Sequence, residues 1–367
     1  MAKDRKKIKR TTIIILSGIT VCSAALFKLV PPAAKAAFGF GGIDLSSEPE
    51  YYAGDNTEDF FGILGSNKVK AEQENYEQQE SPEEDFKGDK GPKPYPTEWD
   101  IDEDTTVYPY TFERRSGNKY ISLESGGQIM NETEISNSTL IDESENEPDF
   151  TIETDGTPQV LIMHTHTTES FEPFVRESFD SSFNYRTTDP SKNVVMIGDS
   201  IAKQLENAGI GVIHDSTIHD YPSYNGSYER SAETVKGILA DNPTIKVVLD
   251  IHRDAVGSSD SIMQPTVDID GKQAAQIMII CGCDDGTLDM PDYIKNFRFA
   301  CKMQNGFAND YPGLARPMMF DYRKYNQDLT TGSLLIEVGS HGNTLSQVEY
   351  SGELIGRSLA KTLKGLQ

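Results

Sequence analysis

From about residue 158 onward, short apolar runs alternate with amphipathic stretches. Residues 160–163 (VLIM) are an apolar run that ends in polar residues. Residues 193–209 carry apolar positions at helical spacing and stop at Gly209, a good C-terminal signal. A strand is predicted over 211–220, and an amphipathic helix over 227–243 that ends at Pro243. Residues 245–255 begin as a buried strand, 273–283 read as another, and 291–309 as a helix containing Phe297, Phe299 and Phe307. Residues 333–344 run from a strand into a polar loop, and Thr344 with Gln347 forms a capping box for a last helix over 345–366. Strands alternating with helices predict an α/β domain over 157–367. Its sheet is expected to be mostly parallel, with helices on both faces.

The rest of the chain reads differently. Residues 1–10 are strongly basic, and 11–30 carry a single charge, Lys28. About 20 apolar residues suffice to cross a bilayer as a helix. A basic flank stays in the cytoplasm, so 11–30 is expected to be a transmembrane anchor with all that follows exported. The run is longer than a usual signal-peptide core. That favours an anchor over cleavage near Ala34-Lys35-Ala36. The chain has 367 residues and a net charge of −24; residues 1–43 sum to +7, 44–155 to −22 and 156–367 to −9. Such acidity argues against nucleic acid as a partner. Concentrated in 31–156, it predicts a mostly disordered, self-repelling tether. Within it, 105–141 shows short strand-like patches around Gly126-Gly127, read as accessory strands or a docking segment. Four cysteines form no disulfide framework at this length, and Cys281, Cys283 and Cys301 read as core thiols.

In a parallel sheet the carboxyl ends of the strands share one rim, where sites form. His164, His166 and Glu169 follow the first apolar strand, His252 follows 245–251, and Glu337 follows 334–336 with His341 four residues on. Two histidines and a carboxylate around an open position make a catalytic zinc pattern, and a further Glu nearby can move protons. Each residue also has a plain structural reading. A strand-end His can be a hydrogen-bonded loop residue, Glu337 can pair with Arg253, and His341 can be a loop residue beside Gly342. His214 and His219 fit the rim less well and read as surface or loop positions.

The motifs HTHTTES (164–170), LDIHRDA (249–255) and IEVGSHGNT (336–344) resemble the stage II sporulation protein P family, itself related to zinc N-acetylmuramoyl-L-alanine amidases. The resemblance spans about residues 157–367. It implies a zinc-dependent peptidoglycan hydrolase cutting the muramoyl–alanine amide, with a further endopeptidase activity on crosslinks. Stage II sporulation proteins D and M are the implied partners, in forespore engulfment at a membrane. Residue by residue, His252 matches a zinc ligand and Glu337 the catalytic acid/base, while His164 or His166 supplies the first ligand and Glu169 is the candidate second. Arg253 and His341 are candidates for transition-state contacts. An extracellular carbohydrate deacetylase and a non-enzymatic scaffold are the competing readings.

Overall fold

The computed structural model describes residues 95–367; the expected anchor at 11–30 and most of the tether lie outside them. Among the described residues no helix is long and apolar enough to cross a membrane.

The core of the molecule is an eight-stranded sheet. Its parallel half is built from β4 (Pro158–Met163), β5 (Gly211–His214), β6 (Val247–Asp254) and β12 (Ser333–Ser340), in the spatial order β12-β6-β4-β5. Beyond β12 lie β10 (Ile277–Gly282), β11 (Met318–Asp321), β3 (Gln128–Asn131) and β2 (Tyr120–Ser122). The sheet is thus mostly parallel, but β10 runs antiparallel to β12. The reason is the connection. The chain leaves β6 at the carboxyl rim, builds a second sheet there, and re-enters the main sheet from the same rim without a crossover helix. That second sheet joins β1 (Thr106–Tyr110), β7 (Gly257–Ser258), β8 (Ser261–Ile269) and β9 (Lys272–Ala275), with β8 paired to the other three.

Side chains alternate across the sheet. Val160, Ile162, Leu249, Ile251, Ile336 and Val338 face one layer of helices: α2 (Val195–Asn207), α4 (Tyr293–Asp310) and α5 (Leu345–Lys364). Leu161, Met163 and Val248 face the opposite way, against Val235 of α3 (Ser227–Asp241). The expected capping box of Thr344 and Gln347 opens α5. Cys281, Cys283 and Cys301 are buried free thiols.

Two expectations change. Residues 211–220 are not one strand: pairing ends at His214 and an irregular segment follows. The described part before 157 is also not a disordered tether: 105–141 carries accessory strands, one of the two readings offered for it. β1 pairs in parallel with β8, the β2–β3 hairpin extends the main sheet through β11, and α1 (Asn137–Ser144) lies between β3 and β4. Upstream still, Tyr95 and Trp99 pack edge-on against Phe183 at 5.5 and 4.9 Å. The folded body therefore begins by residue 95. The acidic average over 31–156 hid Val107, Ile121 and Ile129, which bury their side chains.

Candidate active site

The carboxyl rim of the parallel half gathers the charged residues. Glu337 and His252 are register partners on β12 and β6, so they sit side by side on the α3 face of the sheet. Asp250 and Asp254 follow the same alternation along β6. After β4 the chain turns at Thr165–Thr168. Thr165 fixes that turn, its N–H and hydroxyl donating to Asp250 Oδ1 and Oδ2 at 2.8 and 2.7 Å. The turn re-aims His166 across the rim, where its ring meets that of His252 edge-on at 5.2 Å. Glu169 arrives from the same turn: its Oε2 accepts from the Arg253 N–H at 3.1 Å and lies 3.5 Å from His252 Nδ1.

His166, Glu169, His252, Glu337 and His341 are all buried. The Tyr224 ring stacks on His166 at 4.5 Å with its hydroxyl 3.1 Å from Nε2, and Tyr228 closes another side at 5.4 Å. Arg186 reaches over the Tyr224 ring and pairs with Asp220 at 2.7 Å and Glu169 at 3.9 Å. Tyr224, Tyr228, Arg186 and Asp220 carried no signal in the sequence, because they come from loops and helix starts remote from the strand ends.

Burial dominates the electrostatics. It takes the His166 imidazole down to about 3, which keeps that ring neutral. It pushes the Glu337 carboxyl up to about 8, helped by the Asp254 charge nearby. Burial also opposes ionisation of Glu169, but Arg253, His252 and His166 together override it and hold that carboxyl below the usual range. His252 is desolvated too, yet Asp250 and Glu169 raise it well above an ordinary histidine.

Of the expected first-ligand pair, His166 joins Glu169 and His252. His164 points to the other side, toward α2, and meets His214. Arg253 does not pair with Glu337. Its guanidinium donates to the carbonyls of Ser170 and Tyr185 at 3.3 and 3.4 Å and lies 4.0 Å from Glu169. That makes it a brace for the segment after Glu169. Glu337 instead faces the Asp254–Arg316 ion pair, a buried contact of 2.9 Å. His341 is held by its N–H to the Asp254 carbonyl at 3.2 Å and by an edge contact with Tyr185 at 4.9 Å. His219, read as a surface or loop position, lies in the irregular segment after β5 and is buried, with Nδ1 donating to the His164 carbonyl at 2.9 Å. The bend that brings His341 back over the rim requires Gly339, whose φ is +65° and where a Cβ would lie 2.6 Å from Asn343 Oδ1.

The donor chemistry of His166, Glu169 and His252 suits a borderline cation such as zinc: two imidazoles, one neutral, and a carboxylate. His252 Nε2 approaches Asp250 Oδ1 at 2.8 Å without hydrogen-bond geometry and is an unsatisfied buried nitrogen. Among the described residues no three His, Cys, Asp or Glu side chains already stand as a closed ligand cage.

A 203-residue stretch is 30% identical to Stage II sporulation protein P of Bacillus subtilis (strain 168), covering 52% of this chain and 47% of that protein. The chain thus spans about half the length of this curated relative. Among solved structures, the N-acetylmuramoyl-L-alanine amidase AmiC2 of Nostoc punctiforme is 12% identical with a TM-score of 0.33, covering 56% of this chain and 96% of that one. The catalytic domain of CwlV, an amidase of the same name from Bacillus (Paenibacillus) polymyxa var. colistinus, is 15% identical with a TM-score of 0.34, covering 56% and 97%. The sequence matches the Stage II sporulation protein P family over residues 60–360, so the chain belongs to that family.

Proposed function

We propose that this protein is a zinc-dependent peptidoglycan hydrolase that cleaves the N-acetylmuramoyl-L-alanine amide, with crosslink endopeptidase activity as a second reaction. It works outside the cytoplasm from a membrane anchor, with stage II sporulation proteins D and M as partners in engulfment. The observation that carries the reading is the juxtaposition on one rim of His252 and Glu337, in direct register, with His166 and Glu169 delivered by the turn after β4.

His166, Glu169 and His252 would hold the zinc, which supplies Lewis-acid polarisation of the scissile carbonyl when bound. Glu337 takes a proton from the attacking water and returns it to the leaving nitrogen. A general base works best with a pKa near the operating pH, and burial has moved Glu337 into that range. Arg253 keeps the Glu169 segment in place, and the Tyr224 and Tyr228 rings keep bulk water from the rim.

Mass spectrometry of products from purified peptidoglycan tests this. The amidase reading expects free stem peptides beginning with L-alanine and glycan stripped of peptide. Deacetylated glycan still joined to its stems would establish the competing hydrolase, and unchanged peptidoglycan the scaffold.

A further inference from the structure

After Glu169 the chain brings two apolar side chains to the surface. Phe174 is 53% exposed and Val175 73%, the highest values for large hydrophobic residues among the described ones. They are held there. Glu172 just before them is buried and ion-paired with Arg176 just after, and it accepts the Tyr185 hydroxyl at 2.7 Å. Its backbone N–H donates to the Asn343 carbonyl at 2.9 Å, and its carbonyl accepts from the Leu345 N–H at 3.1 Å. The Arg176 guanidinium lies 5.4 Å from the Phe174 ring and 4.6 Å from the Trp99 ring. Ile101, 40% exposed, borders the same surface, because the N–H groups of Asp100 and Asp102 on either side of it donate to Asp180 and Phe179. The border is acidic: Glu98, Asp100, Glu103, Asp104 and Glu177 are exposed.

The chain enters the folded body at the edge of this patch, where Tyr95 meets the Trp99 ring at 5.3 Å. Upstream, the longest apolar run of 44–92 is FFGIL at 60–64. It is followed by Lys68 and Lys70, the sole basic residues of 44–86. A spacer needs length and charge but no such run, and the family match starts at it, at residue 60. About 30 residues separate the run from Tyr95. A coil of that length has a typical end-to-end distance of about 30 Å and gives a millimolar effective concentration, so a weak apolar contact suffices.

We propose that 60–64 folds back onto Phe174, Val175 and Ile101, with Lys68 and Lys70 meeting the acidic border. Burial of the exposed apolar surface drives the contact, and the carboxylates orient it. Charge sorts the other occupants. An anionic membrane surface would be repelled by this border, and a second copy would bring the same carboxylates against it. Docking would close 65–94 into a loop. With the anchor expected at 11–30, the free span between membrane and body would then be 31–59 instead of 31–94. The contact would thus set how far the body stands from the membrane. None of His166, Glu169, His252 and Glu337 takes part, so digestion in solution is not its readout.

Trp99 is the only tryptophan of the chain and lies beside the patch, so its emission reports the contact in the intact protein. The full-length chain is held in nanodiscs of neutral lipid. There the double variant Phe61→Ser, Leu64→Ser should raise acrylamide quenching of Trp99 by up to about twofold and shift its emission to the red. In a Phe174→Ser background the same two substitutions should change nothing further, because the contact is already broken. Unchanged quenching in the double variant overturns the proposal, and so does an equal increment in the Phe174→Ser background. A photo-crosslinking side chain at position 175 supplies a second readout. It should capture a peptide containing 60–64 from the same chain. Capture of lipid, of a second copy at doubled mass or of any other segment overturns the proposal, as does no capture at all.

Discussion

Glu337 is a carboxyl with a neighbour on each side that makes ionisation hard: the apolar face of the sheet below and Asp254 beside it. Its Oε2 has no hydrogen-bond partner. A residue kept there without local satisfaction is in position to move a proton. Glu337→Gln preserves shape while removing the basic group. It should fold, retain the active-site metal and lose about 10²–10⁴-fold in rate on peptidoglycan. Full activity in that variant would remove Glu337 from the chemistry. The same residue sets a pH dependence. An ordinary glutamate titrates at 4.5 and this one is raised to about 8, so the native state holds the proton more tightly than the unfolded chain. The Glu337 contribution to the stability of the metal-free protein is therefore fully present below pH 4.5 and is lost as pH rises through about 8. Melting curves of metal-stripped wild type and Glu337→Gln should accordingly diverge in favour of Gln between about pH 5 and pH 8. A constant difference would mean that Glu337 titrates normally.

The elements that position this residue were legible to different degrees. β4, β6 and β12 announced themselves as continuous apolar runs, and the polar residue after each run marked the rim. β8 and β11 did not. β8 mixes Gln264, Pro265 and Thr266 with apolar positions, and β11 is only Met318–Asp321. The clamp between β8 and the 340–344 loop could not be foreseen. There Gln264 Nε2 donates to the Gly342 carbonyl at 2.7 Å and Asn343 Nδ2 to that of Pro265 at 3.0 Å. The segment after Glu169 has a similar hidden support. Tyr95 donates its hydroxyl to the Phe171 carbonyl at 2.7 Å, and Arg176 lies over the Trp99 ring at 4.6 Å. Trp99→Ala should lower stability by about 1–3 kcal/mol. A chain that begins at residue 105 should melt below one that begins at 95. Equal melting temperatures would show that the upstream aromatics are passengers.

At the scale of the whole molecule, charge separates the chain into parts with different tasks. The −22 of residues 44–155 contrasts with −9 over the longer remainder. Self-repulsion suits the spacer that the proposed function requires between anchor and substrate. Residues 44–92 also contain none of the candidate ligands or the proton carrier. Their deletion should leave digestion of purified peptidoglycan in solution within about twofold, since changes remote from a site's contacts have small effects. On the proposed function, the same deletion in cells should impair engulfment while the activity in solution is kept. Loss of activity in solution would assign the segment a direct role in the reaction.

Local pattern alone determined the α/β character, the α5 capping box, and the rim with its candidates His164, His166, Glu169, His252 and Glu337. Each follows from periodicity or from a polar residue at the end of a buried strand, and both are properties of a few consecutive residues. Which of two histidines joins the rim was a tertiary decision. His164 and His166 are two apart and would share a face if β4 continued; the turn that Asp250 holds through Thr165 sends them apart. The same holds for the direction of β10, the second sheet, the brace made by Arg253 and the meeting of His164 with His214. All depend on contacts between segments far apart in the chain, whose partners no local pattern can name.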